Sequence, residues 1–300
     1  MLQISAPVLM VAATFLFATM GVCVKFAATD YGTGEMVFYR GIVGAVAMAM
    51  LMRVRGETIR TRLPAMHFWR SFTGVSALSL WFYAIGVLPL ATAVTLNYMA
   101  PIWMTLLLIG GAALLRGTAV EARFICTVLV GFTGVACILQ PAMEQDQAWG
   151  GLMGLLSGLL TAMAYLQISA LGRAGEPEDR VVFYFSAGSM AGGALETSLF
   201  NEWHAHTPQG LGILLAIGIL ATLAQLMITR AYGKGRILVI GSLQYLGVAW
   251  SFIYGVVLFD DPVTSMALLG MALVVAAGIA AVGLRERVSS AGDLPLPPEP

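Results

Sequence analysis

Leu96-Asn97-Tyr98-Met99-Ala100-Pro101-Ile102-Trp103 returns later in the chain as Leu243-Gln244-Tyr245-Leu246-Gly247-Val248-Ala249-Trp250. Leucine, tyrosine and tryptophan coincide and an amide faces an amide, at an offset of 147 residues. The same offset lays Ala84 on Ala231 and Gly86 on Gly233. A repeat at that spacing in a 300-residue chain predicts two copies of one unit, each about half the protein.

Both stretches are set in long apolar runs. The chain is 59% hydrophobic and 11% charged, with a mean hydropathy of +0.85, which makes a bilayer its solvent. Runs long enough to cross a hydrocarbon core fall at residues 5–27, 33–53, 68–88, 91–114, 121–140, 150–172, 181–200, 210–232, 236–259 and 263–284. The first run has no basic residues before it and exceeds the apolar core of a signal peptide, so it reads as a retained span. Five spans per copy is an odd number, so the second copy has to enter the membrane from the opposite side. The expected fold is an all-α membrane protein of ten transmembrane helices in a 5+5 inverted repeat. Residues 1–145 and 146–284 are its halves within one membrane domain, and the proline-rich 285–300 is expected to be a disordered cytoplasmic tail.

Lysine and arginine test that count, because cytoplasmic loops hold an excess of both. Arg53, Arg55, Arg60, Arg62 and Arg70 flank the second connection, Arg116 and Arg123 the fourth, and Arg173 and Arg180 the sixth. Arg230, Lys234 and Arg236 flank the eighth, and Arg285 and Arg287 follow the last span. The other connections carry Asp30, Glu144, Asp146, Glu202, Asp260 and Asp261, and only Lys25 and Arg40 depart from the alternation. Ten spans with both termini cytoplasmic are therefore expected, in a bacterial inner membrane.

Several functions are disfavoured by composition. Sixteen basic residues balance 16 acidic ones, so net charge gives no footprint for nucleic acid. Cys23, Cys126 and Cys137 sit in apolar runs without a CxxC pattern, and His67, His204 and His206 lie in connecting segments without HExxH. No metal, cofactor or catalytic constellation is expected. The sequence holds no GxxxxGK[ST] phosphate loop, so transport would run on a gradient or uncoupled.

Arg40 in the second span, Trp81-Phe82-Tyr83-Ala84-Ile85-Gly86-Val87-Leu88-Pro89-Leu90-Ala91-Thr92-Ala93, then Tyr98 and Pro101, and the glycine-spaced fifth span ending at Pro141, together resemble the EamA-type transporters of the drug/metabolite transporter superfamily. The resemblance covers nearly the whole chain. It implies ten helices, a 5+5 duplication and cytoplasmic termini. Two positions depart from the pattern: the Gly-Glu pair common after the fourth and ninth spans reads Leu115-Arg116-Gly117 and Phe259-Asp260-Asp261, and Val248 stands where a proline is usual.

A charge at the centre of a membrane helix costs at least about 2.5–3.5 kcal/mol, so buried ionisable groups are functional candidates. Arg40 lies about 10 Å into the second span at 1.5 Å per residue. Lys25, Glu35 and Glu196 lie nearer the outer ends of their spans, as a coupling or gating cluster in which Glu196 or Glu35 offsets Arg40. The alternative is a structural ion pair with a snorkelling lysine. Pro101 removes a backbone donor deep in a span and predicts a kink whose freed carbonyls line a cavity. Asn97, Tyr98 and Pro101 share a helical face, as do Gln244, Tyr245 and Val248. Trp81, Tyr83, Tyr98, Tyr165 and Tyr245 would supply aromatic walls, with Gln225 a polar group at mid-depth. Helix packing alone is the competing account for each. Trp69, Trp149 and Trp203 read as interfacial anchors. Glycines 150, 154 and 158, and 188 and 192, would let helices approach closely.

The function these features point to is secondary transport rather than catalysis: export of a small polar or amphipathic metabolite such as an amino acid, by alternating access. The partners would be that small molecule, the lipid bilayer and a coupling proton or ion, with oligomeric state open. A lipid flippase is the alternative, and a membrane enzyme fits less well.

Overall fold

The computed structural model describes residues 5–107, 122–138, 145–200, 203–234 and 243–292. All regular elements among them are helices. In chain order they are α1 (Ala6–Ala27), α2 (Thr33–Val54), α3 (Pro64–Val87), α4 (Leu90–Asn97), α5 (Ala100–Thr105), α6 (Ala122–Ile138), α7 (Gln145–Arg173), α8 (Glu178–Phe200), α9 (Pro208–Lys234), α10 (Leu246–Phe259) and α11 (Ser265–Gly292).

Helix boundaries follow local chemistry. Proline stands in the first turn of α1, α3 and α5 and opens α9, where its missing N–H costs nothing and its fixed φ suits the helix. Gly56 (φ 70°) stands two residues past the end of α2 and Gly175 (φ 79°) two past the end of α7. In each case the next N–H reaches back to close the last turn, Glu57 to Met52 O at 2.9 Å and Glu176 to Leu171 O at 3.1 Å.

α1, α2, α7 and α9 are long and apolar enough to cross a membrane by length and composition. α3 and α8 are of similar length but dilute their apolar content with His67 and Arg70, and with Asp179, Arg180 and Glu196. The exterior matches. Val54, Leu199, Phe200 and Val257 are at least 70% exposed, and Trp69, Trp149 and Trp203 are exposed as well. Soluble monomers rarely present so much contiguous apolar surface.

The helices pair across the two halves of the chain. α1 packs most extensively on α9, α2 on α8, α3 on α7 and α6 on α11, while α4 meets α10. Small residues allow the closest of these crossings. A Cβ on Gly41 would lie 2.7 Å from Met190 Cα and 2.8 Å from Ser186 O, so α2 and α8 touch backbone to backbone. Gly188 and Gly192 instead face Ser71 and Val75 of α3.

The fourth apolar run is divided. α4 stops at Asn97, Tyr98 and Met99 form a turn, and α5 begins with Pro101 in its first turn. A proline at 101 leaves the carbonyl of Asn97 without its helical donor, and its ring crowds that carbonyl. The matched position behaves alike without a proline: Gln244 and Tyr245 form the turn that precedes α10. Proline is therefore one contributor to the discontinuity rather than its sole cause. Gly158 of α7 abuts the first break, where a Cβ would lie 2.8 Å from Leu96 O and 3.1 Å from Asn97 O.

One expectation is corrected at the C-terminal end. α11 continues through Arg285 to Gly292 rather than giving way to disorder at residue 285, since each residue added to an existing helix gains a hydrogen bond without a new nucleation cost. Residues 293–300 lie outside the described residues, as do Leu115, Arg116, Gly117, Pro141 and Arg236.

Candidate functional site

Two arginines enter the bundle from opposite ends. Arg40 is seven residues into α2 and Arg70 six residues into α3, each about 10 Å along its helix at 1.5 Å per residue. Successive helices run in opposite directions, so the two guanidinium groups converge on the middle. They meet at one ring: Arg40 Cζ is 4.9 Å and Arg70 Cζ 4.1 Å from the centroid of Phe185 on α8, both within cation–π range. Arg40 is 5% exposed and Arg70 4%.

The cavity around them holds about 90 Å³, on a measure where one water takes roughly 10–15 Å³, so it accommodates several waters or a small metabolite. Its wall draws on α1 through Thr14 and Phe17, on α3 through Gly74 and Trp81, and on the first helix break through Asn97 and Tyr98. Thr161 and Tyr165 of α7, Gln225 of α9 and Gln244 at the second break complete it. No aspartate or glutamate is among the described residues that line it.

Hydrogen bonds hold the breaks in shape. Asn97 Nδ2 donates to Ser157 Oγ at 3.0 Å and to Thr161 Oγ1 at 3.1 Å. Tyr98 and Tyr245, the matched tyrosines, stand edge to face at 6.2 Å, and the Tyr245 hydroxyl donates to Tyr98 O at 3.1 Å. The two repeat motifs thus touch each other directly.

The arginines are less well served. Arg40 Nη1 donates to Ser189 Oγ at 3.4 Å, and that hydroxyl donates in turn to Phe185 O at 2.9 Å. Arg40 Nε, Arg70 Nε and Arg70 Nη1 are buried without a hydrogen-bond partner, and so is Trp81 Nε1. Buried donors of this kind normally find acceptors.

Of the residues singled out in the sequence, Arg40, Trp81, Asn97, Tyr98, Tyr165, Gln225 and Gln244 line this one cavity. Tyr245 stands behind Tyr98 as its support. Pro101 is half-buried at the start of α5 and Tyr83 is 38% exposed, both off the lining. Lys25, Glu35 and Glu196 are also off it.

The expected pairing of Glu35 with Arg40 is corrected. Five residues along a helix turn the two side chains well apart, and Glu35, fully buried, takes His204 Nδ1 at 3.0 Å and has His206 Nε2 at 3.6 Å. Glu196 accepts from Ser79 Oγ at 2.6 Å. Lys25 Nζ donates to Asp261 Oδ1 at 3.1 Å and Leu88 O at 3.0 Å, while Asp261 Oδ2 accepts from the Leu90 N–H at 2.8 Å. This last cluster ties α1, the α3–α4 junction and the α10–α11 junction together at one end of the bundle.

At the other end, Glu176 joins His67 Nε2 at 2.9 Å and Arg180 Nη1 at 3.2 Å, and Arg55 pairs with Asp179. Burial alone would raise the Glu176 carboxyl, but hydrogen bonds from His67, Thr61 and Arg180 outweigh it and hold the group below its ordinary value.

Arg70 is the principal residue that sequence reasoning assigns elsewhere, since it counts among loop arginines if the third span starts at residue 68. The signals were Pro64, which begins the helix two turns earlier, and Gly74 one turn further on. A Cβ at 74 would collide with Arg70 Nη1 and lie 3.2 Å from its Cζ. Phe185 and Thr14 carry no comparable signal.

Residues 4–140 match the EamA-like transporter family. The first half of the chain is similar to that family. A pseudopaline exporter of Pseudomonas aeruginosa is 28% identical over 92% of this chain and 95% of its own length. A riboflavin transporter of Rhizobium johnstonii is 26% identical over 80% of this chain and 77% of its own. A solved crystal structure aligns with a TM-score of 0.64 at 17% identity, covering 94% of this chain and 98% of the other, which speaks for the fold alone. Family and relatives are named for transport rather than catalysis, and with the apolar helices they support a multi-pass membrane protein with a transport function.

Proposed function

We propose that this protein is a secondary transporter that carries a small polar or amphipathic metabolite across a bacterial inner membrane by alternating access. The observation that carries the reading is the cavity set between the α4–α5 break and the turn before α10, whose matched tyrosines touch. Interrupted helices at mid-membrane are where secondary transporters assemble their sites. Cross-pairing of α1 with α9 and of α3 with α7 supports a 5+5 inverted repeat, because a two-fold relation between halves exchanges one of these pairs with the other. The arginine-rich connections favour cytoplasmic termini. In this scheme the Lys25–Asp261 cluster closes the outer end and the His67–Glu176–Arg180 cluster the inner end, and each has to open in turn. Glu35 with His204 and His206 is the group best suited to carry a coupling proton.

The relatives suggest where to begin, with pseudopaline and riboflavin as first probes. Comparative metabolite profiling of cells lacking and overproducing the protein would supply the remaining candidates. Radiolabelled flux in proteoliposomes is then expected to exceed that of protein-free liposomes for at least one compound. Equal flux for every compound, with covalent conversion of an added lipid instead, would overturn the transporter reading.

A further inference from the structure

We infer that the cavity takes a small molecule carrying two negative charges, held by Arg40 and Arg70 together. The inference rests on the transporter reading for its purpose but on the cavity alone for its chemistry. Arg40 and Arg70 are each at most 5% exposed, and the wall they share has no carboxylate among the described residues. An uncompensated buried charge is costly, and two neighbouring charges of one sign are worse. A single negative charge would still leave one guanidinium unbalanced.

The unused donors agree. Arg40 Nε, Arg70 Nε and Arg70 Nη1 have no acceptor, although a guanidinium is built to grip carboxylate or phosphate oxygens through two parallel N–H groups. Both guanidinium carbons lie over the Phe185 ring, at 4.9 Å and 4.1 Å from its centroid, so they are no further apart than those two distances joined. That reach suits two carboxylates on a short skeleton or one doubly ionised phosphate monoester. Trp81 Nε1, also buried without an acceptor, offers a neutral donor to the same ligand. Gly74 is part of the device, because its missing side chain leaves the space in which the Arg70 guanidinium lies against its own helix.

Binding is tested apart from transport by calorimetric titration of the purified full-length protein with succinate, glycerol 3-phosphate, butyrate and choline. A dianion is expected to bind about tenfold or more tighter than butyrate, with no heat from choline. Succinate against glycerol 3-phosphate separates the dicarboxylate from the phosphate form. Arg40→Gln and Arg70→Gln should each erase the preference for dianion over monoanion, whereas Arg40→Lys and Arg70→Lys should retain part of it. Equal affinity for butyrate and both dianions, or variants with unchanged preference and wild-type melting, would overturn the proposal. If dianions bind but do not cross proteoliposomes, the dianion site stands and the transporter reading falls. If riboflavin crosses proteoliposomes but neither dianion binds better than butyrate, transport stands and the dianion site falls.

Discussion

Gly74→Ala separates stability from function. The added Cβ would collide with Arg70 Nη1 and sit 3.2 Å from Arg70 Cζ and 3.0 Å from Phe185 Cε2. To regain ordinary contact, Nη1 has to retreat by more than about 1 Å. The obstructing atom is the end of a long flexible side chain, so the helix itself need not move. Alanine in a helix interior is about 0.5–1 kcal/mol more favourable than glycine, which offsets part of the crowding against the Phe185 ring. Thermal unfolding in detergent is therefore expected within a few degrees of wild type. Transport is expected to fall by about tenfold or more, because a misplacement near 1 Å at a positioned charged group costs up to roughly a hundredfold. The assay is initial-rate flux in proteoliposomes beside a melting curve on the same preparation. Wild-type flux and apparent affinity in Gly74→Ala would show that the placement of Arg70 over Gly74 is not used.

Three further outcomes follow from other parts of the molecule. Asp261→Asn should loosen the end closed by Lys25, and in a Cys126→Ser, Cys137→Ser background maleimide should label the half-buried Cys23 faster than in Asp261-containing protein; an unchanged rate removes that cluster from gating. Gly41→Ala should lower the melting temperature, since the new Cβ meets the backbone of Met190 and Ser186 and overpacking costs about 1–3 kcal/mol, whereas Gly172→Ala, with nothing within 4 Å, should leave it unchanged or raise it slightly. Glu176 has a folded-state value held below the ordinary 4.5, so its stabilisation is complete above that pH and is lost as pH falls through the lowered value. Melting curves of wild type and Glu176→Gln should accordingly differ at neutral pH and converge in acid; a gap that persists in acid would exclude the ionised carboxylate as its source.

Much of the architecture is legible along the chain because hydropathy and proline position act locally. Among the described residues the apolar runs correspond to helices, and the paired tyrosine motifs mark the α4–α5 break and the turn before α10. Asn97, Tyr98 and Gln244 could be named from that repeat alone. Arg40 stands out by depth. Arg70 does not, because its depth depends on where α3 begins, and the helix starts at Pro64 rather than at the first strongly apolar residue. Glu35 illustrates the opposite error: it is close to Arg40 in sequence, yet the helix turns it toward His204 and His206, which come from beyond α8.

The sequence by itself determined a helical membrane protein with a repeated motif and a kink at Pro101, since the cost of exposing a peptide group or a charge to hydrocarbon is paid residue by residue along each run. Only the tertiary structure decided which charges face one another. Phe185 and Arg40 are on different helices and far apart in the chain, and their meeting depends on the depth at which α2 and α8 cross, which Gly41 permits by its lack of a side chain. The same holds for Arg70, whose direction is set by the empty space over Gly74 and the ring beyond it. Contacts between distant segments select those registers, and no local pattern encodes them.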